Sequence, residues 1–390
     1  MVKQFIFAIF LFAAGAVNAQ TLRDLNFRYI YNPDNDFSLA WDLVKEADQY
    51  TVFFDLQVND TTRVSDLKIQ WETRKSTSDK TGYALTGEVV TLEARAGRSA
   101  GFIHFTPVLN HTLVTLKITY TSKGKTYVTF FYKRLADAKT HYATVNGLMV
   151  INNFITQHRP LRFNGFSGHA PLQVAYYKNT FPAAAPSFST AQARVSKKIT
   201  PDSVFFVAPD GTVTLAQKGL YLAQQDTASA AGVAFRVEDD YPKLGKLESL
   251  AEPLIYICTR QEYEKVMASG NDKKKFDQII LSITGNTERA RIFMRNYFKR
   301  VEAANQYFSS YKEGWKTDRG MVYIIYGIPD EVYLFEDREV WEYKNDYTRE
   351  RFQFIKSATI FDPENYVLVR EKSFTDGWYN MIDLWRKARF

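Results

Sequence analysis

The chain has 390 residues, too many for one ordinary domain and enough for two or three. Aromatic residues make up 15% and charged residues 24%, which supplies sizeable cores and excludes wholesale disorder. A formal charge of +7 is mild over this length. The basic residues are scattered, and the densest run, Lys273-Lys274-Lys275, reads as a solvated helix face, which argues against a nucleic-acid partner.

Residues 1–19, MVKQFIFAIFLFAAGAVNA, carry a lysine at position 3, an apolar core from Phe5 to Ala14, and small residues at Val17 and Ala19. This is the pattern of a secretory signal peptide cleaved after Ala19. Its apolar stretch is shorter than the roughly 20 residues of a membrane span. The single cysteine, Cys258, sits in the apolar run LIYIC and can form no internal disulfide. Export without a disulfide framework suits a bacterial envelope, in the periplasm or on the periplasmic side of the outer membrane. No later segment is long and apolar enough to span a membrane.

Residues 20–140 form a succession of short alternating segments: FRYIY, YTVFFDLQV, LKIQW, VVTLEA, GFIHF, LVTLKITY and YVTFFY. Period-two alternation at this spacing predicts an antiparallel β-sandwich. Residues 141–258 read as a second β-rich domain with strands LQVAYY, SVFFV, TVTLA, GLYLAQ, GVAFRV and LIYIC. The stretch Phe181–Ala193, rich in Pro, Ala and Ser, is an exposed loop between two of them.

From 259 to 390 the period changes, predicting a helical hairpin plus a β-sheet, an α+β domain. Thr259 and Glu262 form a capping box for the first helix. A second helix carries Phe276, Ile279, Ile280 and Ile283 and stops at Gly285. A third opens at Asn286, carries Phe293, Tyr297, Val301, Ala304 and Phe308 on one stripe, and stops at Gly314. MVYIIYG, EVWEY, RFQFI and NYVLV read as strands, and a terminal helix spans about Met381 to Ala388.

Most catalytic and metal patterns are absent. His104, His111, His141, His158 and His169 are scattered without metal-ligand spacing. GFSGH (Gly165–His169) lacks the second glycine of a nucleophile elbow. Asp34 and Asp36 lack the glycine and closing glutamate of a calcium loop, and the neighbouring acids Asp239-Asp240 and Glu336-Asp337 would point to opposite strand faces. No metal and no cofactor is expected.

The densest polar stretch is EGWKTDRGMVYIIYGIPDEV, Glu313 to Val332. With Gly314-Trp315-Lys316-Thr317-Asp318-Arg319-Gly320, the preceding helix bearing Arg300 and Asn305, and the downstream EVWEY and RFQFI, the sequence resembles the GWxTD-domain family, exported proteins chiefly of Bacteroidota, over about residues 260 to 370. The resemblance implies an envelope location and an architecture but no reaction. Asp60-Thr61-Thr62, Asp202-Ser203-Val204 and Asp226-Thr227-Ala228 are similar to short O-glycan acceptor sites of that group.

Two readings of the stretch stand open. In one it is a helix-to-strand clasp: Gly314 ends the helix, Trp315 covers the corner, and Thr317 and Asp318 accept from turn amides. Arg319 then pairs with Asp318 or another acid, Gly320 allows the turn, and Gly327 and Pro329 close the strand. In the other it is catalytic, Asp318 being the base, Arg319 an anion stabiliser, and Glu331 or Glu342 a second acid. No nucleophile accompanies them, so a non-enzymatic scaffold or adaptor for an envelope protein partner, an outer-membrane or secretion complex, is the leading expectation. A cell-wall glycan or peptide hydrolase, or a carbohydrate-binding module in contact with glycan, is the alternative.

Overall fold

The computed structural model describes residues 21–59, 62–168, 170–178, 181–190, 199–209, 211–345 and 348–389. The segment 1–19 read as a signal peptide, Asp60-Thr61, His169 and the end of the loop read over 181–193 lie outside them. The chain is mainly β, with the helices gathered towards the C-terminus.

Two four-stranded antiparallel sheets form the first sandwich. One runs in the order Phe37–Glu46, Gln49–Val58, Arg98–Phe105, Val89–Arg95, the other Tyr83–Ala84, Lys68–Arg74, Leu113–Ser122, Lys125–Arg134. Inward positions at alternate residues meet between them: Trp41, Leu43, Val52, Phe54 and Ile103 against Val114, with Leu56 against Leu116 and Ile118. The β-region that follows builds its own core from Leu161, Phe163, Leu172, Val174, Tyr221 and Phe235, so it is a second sandwich. Its larger sheet orders Phe154–Thr156, Val233–Glu238, Gly219–Gln224, Leu172–Tyr177, Ser203–Val207, with the first pair parallel.

The C-terminal part packs six helices on a four-stranded meander. The helices are α1 (Leu247–Ala251), α2 (Arg260–Ala268), α3 (Lys273–Thr284), α4 (Thr287–Phe308), α5 (Asp318–Tyr326) and α6 (Thr375–Arg386). The strands are Glu331–Leu334, Arg338–Asn345, Thr348–Lys356 and Tyr366–Leu368. The predicted starts hold. Thr259 and Glu262 form the capping box of α2, Gly285 caps α3 with a left-handed φ of 84°, and Asn286 accepts from the Arg289 amide to open α4.

Four expectations need correction. MVYIIYG is not a strand but the body of α5. Every residue from Gly320 to Tyr326 is buried, so the helix shows no polar face and its apolar run has no readable period. Gly314 does not end α4, which stops at Phe308; it opens a 3₁₀ turn, Gly314–Lys316. FRYIY is a 3₁₀ turn, Arg28–Tyr31, rather than a sandwich strand. Its Phe27 and Tyr31 enter the C-terminal core, and the Phe27 amide donates to the Val332 carbonyl. LIYIC is also helical, with Pro253 at the start of a 3₁₀ turn, Glu252–Tyr256.

Candidate functional site

Helix α5 needs a cap and a tight approach to α4, and the residues before it supply both. The Thr317 hydroxyl accepts from the Gly320 amide at 3.0 Å and donates to the Gly314 carbonyl at 2.7 Å, closing the first turn. Gly320 lies inside this helix rather than at a turn into a strand, and a Cβ there would sit 1.9 Å from the Gly314 carbonyl oxygen. A Cβ on Gly314 would sit 2.1 Å from the Ala304 carbonyl oxygen of α4. Both glycines are therefore required by backbone-to-backbone contact.

Asn305 of α4 joins the motif to the second sandwich. Its Oδ1 accepts from the Trp315 amide at 3.0 Å, and its Nδ2 donates to the Pro242 carbonyl at 2.9 Å. The Tyr241 hydroxyl accepts from the Gly314 amide at 2.9 Å. Trp315 is buried, its carbonyl accepting from the Tyr256 hydroxyl at 3.0 Å. Arg300, one α4 turn earlier, donates to the Ile324 and Ile325 carbonyls at the end of α5 and stacks 4.5 Å over Trp385. Burial lowers its pKa to about 10. Gly327, at φ 87°, packs against that guanidinium.

The charged residues separate into three groups. Asp318 does not bond a turn amide. Its Oδ2 accepts from the Leu368 amide at 2.8 Å and its Oδ1 from Arg370 Nη2 at 2.5 Å, an ion pair whose side chains are 11% and 19% exposed. Arg319 pairs with Glu339 at 3.1 Å, not with Asp318, and lies 4.3 Å from the Tyr366 ring centre. Burial opposes its charge, but Tyr31 and Glu339 outweigh it and raise the pKa. Glu331 and Glu342 face each other across adjacent strands and share Lys344, each at 2.7 Å. Glu342 alternates with the buried Trp341 and Tyr343, so it lies on the sheet face opposite Glu339. The four acid-base candidates thus never converge on one reacting atom, and both oxygens of Asp318 are engaged.

Lys316, buried, joins Glu252 and Glu313, each at 3.2 Å. Glu313 reaches Arg236 at 3.2 Å, and Arg236 pairs with Glu238. Burial alone would raise the Glu313 pKa, yet Arg236 and Lys316 hold it low. This chain of charges ties strand Val233–Glu238 to the motif. Part of the loop at 181–190 lies over the same corner rather than standing free. Ala184 donates to the Lys316 carbonyl at 2.9 Å, the Ala185 carbonyl accepts from Arg370 at 3.0 Å, Ser187 is fully buried, and Phe188 packs on Trp378 and Tyr379.

Among the described residues no group of three or more His, Cys, Asp or Glu is placed to hold a metal, and no helix is long and apolar enough to cross a membrane. Cys258 is half-buried, and burial pushes its thiol up to about 12. Sequence reading missed Tyr241, Arg236, Glu339 and Arg370; each is distant in sequence from the residue it holds. Residues 219–387 match the family model of the GWxTD domain, and no curated protein matches the chain.

Proposed function

We propose that this GWxTD-domain protein is an exported, non-catalytic envelope scaffold or adaptor, located in the periplasm or on the periplasmic side of the outer membrane, that binds a protein partner. The single observation that supports it most is how the motif's polar groups are spent. Thr317 caps α5, Asp318 holds Arg370 and the Leu368 amide, and Arg319 holds Glu339. A general base needs a lone pair aimed at substrate, and Asp318 already accepts from Arg370 and the Leu368 amide with only 11% of its side chain exposed. The leader sequence supports export, and two sandwiches joined to an α+β unit give a large binding surface.

Crosslinking in intact envelopes, followed by affinity purification, tests the reading. A reproducible crosslinked protein partner is the expected outcome. Recovery of monomer alone, with the chain abundant and folded, overturns it.

A further inference from the structure

Two adjoining hollows lie where the two sandwiches meet, with volumes of about 550 and 460 Å³. Both are of ligand-pocket size, roughly 300–1,000 Å³, and domain interfaces are a preferred place for such pockets. Tyr142, Arg162 and Asn164 line both, so the pair forms one groove with two compartments. Its base is anchored: Phe53 of the first sandwich packs on Phe102 at 5.6 Å and on Tyr142 of the second at 5.4 Å. One compartment continues past Phe166 and Gly165, the other past His104 and Thr144.

The chemistry of the groove is mixed in a particular way. Half-buried aromatic rings, Phe102, Tyr142 and Phe166, alternate with planar or hydroxylic groups. Asn164 is oriented by its bond to the Thr144 hydroxyl at 3.1 Å, and His104 by Thr51 at 2.8 Å. Aromatic faces suit the C–H face of a sugar ring, and oriented amides and hydroxyls suit its hydroxyl groups. Arg162 is exposed and has no acid within ion-pair distance among the described residues. Glu46 lines the first compartment and keeps its charge while accepting from the Tyr142 hydroxyl at 2.9 Å, which places a ligand carboxylate at the second compartment, lined by Arg162 and by no acid among the described residues. The guanidinium is thus left for a carboxylate on the ligand, a planar match it can make with two parallel bonds.

We propose that this groove binds a short acidic oligosaccharide, with Arg162 taking the carboxylate of a uronic-acid residue and Tyr142 and Asn164 serving the sugars on either side. The site is remote in sequence from the GWxTD motif and goes beyond the scaffold reading without depending on it. Calorimetric titration of the full chain with trigalacturonic acid and with maltotriose tests it. The acidic trisaccharide is expected to bind with a Kd on the order of 10 μM to 1 mM, and maltotriose at least tenfold more weakly. Arg162→Ala should weaken the acidic ligand at least about tenfold with an unchanged melting temperature, while Arg162→Lys recovers part of the loss. Absence of trigalacturonate binding at 10 mM-scale ligand (roughly tenfold above the weakest expected Kd), equal binding of maltotriose, or an Arg162→Ala chain that binds as the wild type does would each overturn it.

Discussion

Replacing Asp318 by asparagine keeps the shape of the side chain and removes its charge. The ion pair with Arg370 is lost, and an amide oxygen kept at the Leu368 amide turns the NH2 group towards Arg370 Nη2, donor against donor. Removing one partner of a fully buried ion pair costs about 3–5 kcal/mol. The side chains of Asp318 and Arg370 keep 11% and 19% exposure, so residual hydration places the loss nearer about 3 kcal/mol. For a cooperative unit of about 150–250 residues that becomes a fall in Tm of roughly 6–12 °C. The assay is thermal unfolding followed by circular dichroism, with Glu336→Gln as control. Glu336 is a salt-bridged but 84% exposed acid, and its substitution should move Tm by no more than about 1 °C. An Asp318→Asn chain melting within about 1 °C of the wild type would refute the clasp and restore the residue to the catalytic reading.

Other consequences follow from the same geometry. Gly320→Ala and Gly314→Ala each force a Cβ against a carbonyl oxygen, at 1.9 and 2.1 Å, and should each cost about 1–3 kcal/mol or more by urea titration. Arg300→Met leaves the Ile324 and Ile325 carbonyls at the end of α5 without their guanidinium, an expected loss of about 2–4 kcal/mol read the same way. Glu262 is bonded by Arg386 and the Thr259 amide, which lowers its pKa from 4.5 to about 2. A depressed folded pKa gives stability that is present above the unfolded value and is lost as pH falls from about 4.5 towards 2. Melting temperature against pH should therefore fall less steeply over that window in Glu262→Gln than in the wild type; identical slopes would remove Glu262 from the acid response.

Much of the fold was legible because it rests on local rules. The sandwich strands alternate at period two, and the capped starts of α2 and α4 and the glycine stop of α3 are short-range patterns. Helix α5 failed because it is buried on every side; with no polar face, a helix and a central strand present the same apolar run. FRYIY was misplaced for a related reason. Its aromatic residues satisfy strand propensity, yet Tyr31 is used by Phe308 and Trp341 in a core almost three hundred positions away. The motif itself was visible, but Thr317 caps helix α5 and Trp315 sits in the 3₁₀ turn between two helices, not at a helix-to-strand corner. The motif's partners were not visible, since Arg370, Glu339 and Tyr241 reach it through tertiary contacts that no spacing encodes. The match that begins within Gly219–Gln224, well before residue 259, has a physical counterpart in the Arg236–Glu313 pair and the Tyr241–Gly314 bond.

The central claim, that the motif organises a binding scaffold and performs no chemistry, is tested most directly by partner recovery from an Asp318→Asn chain held at a temperature where circular dichroism shows it fully folded. The account predicts the same crosslinked partners in the same yield as the wild type. Loss of those partners from a fully folded variant, or loss of a measurable hydrolytic activity that the wild type displays, would contradict it.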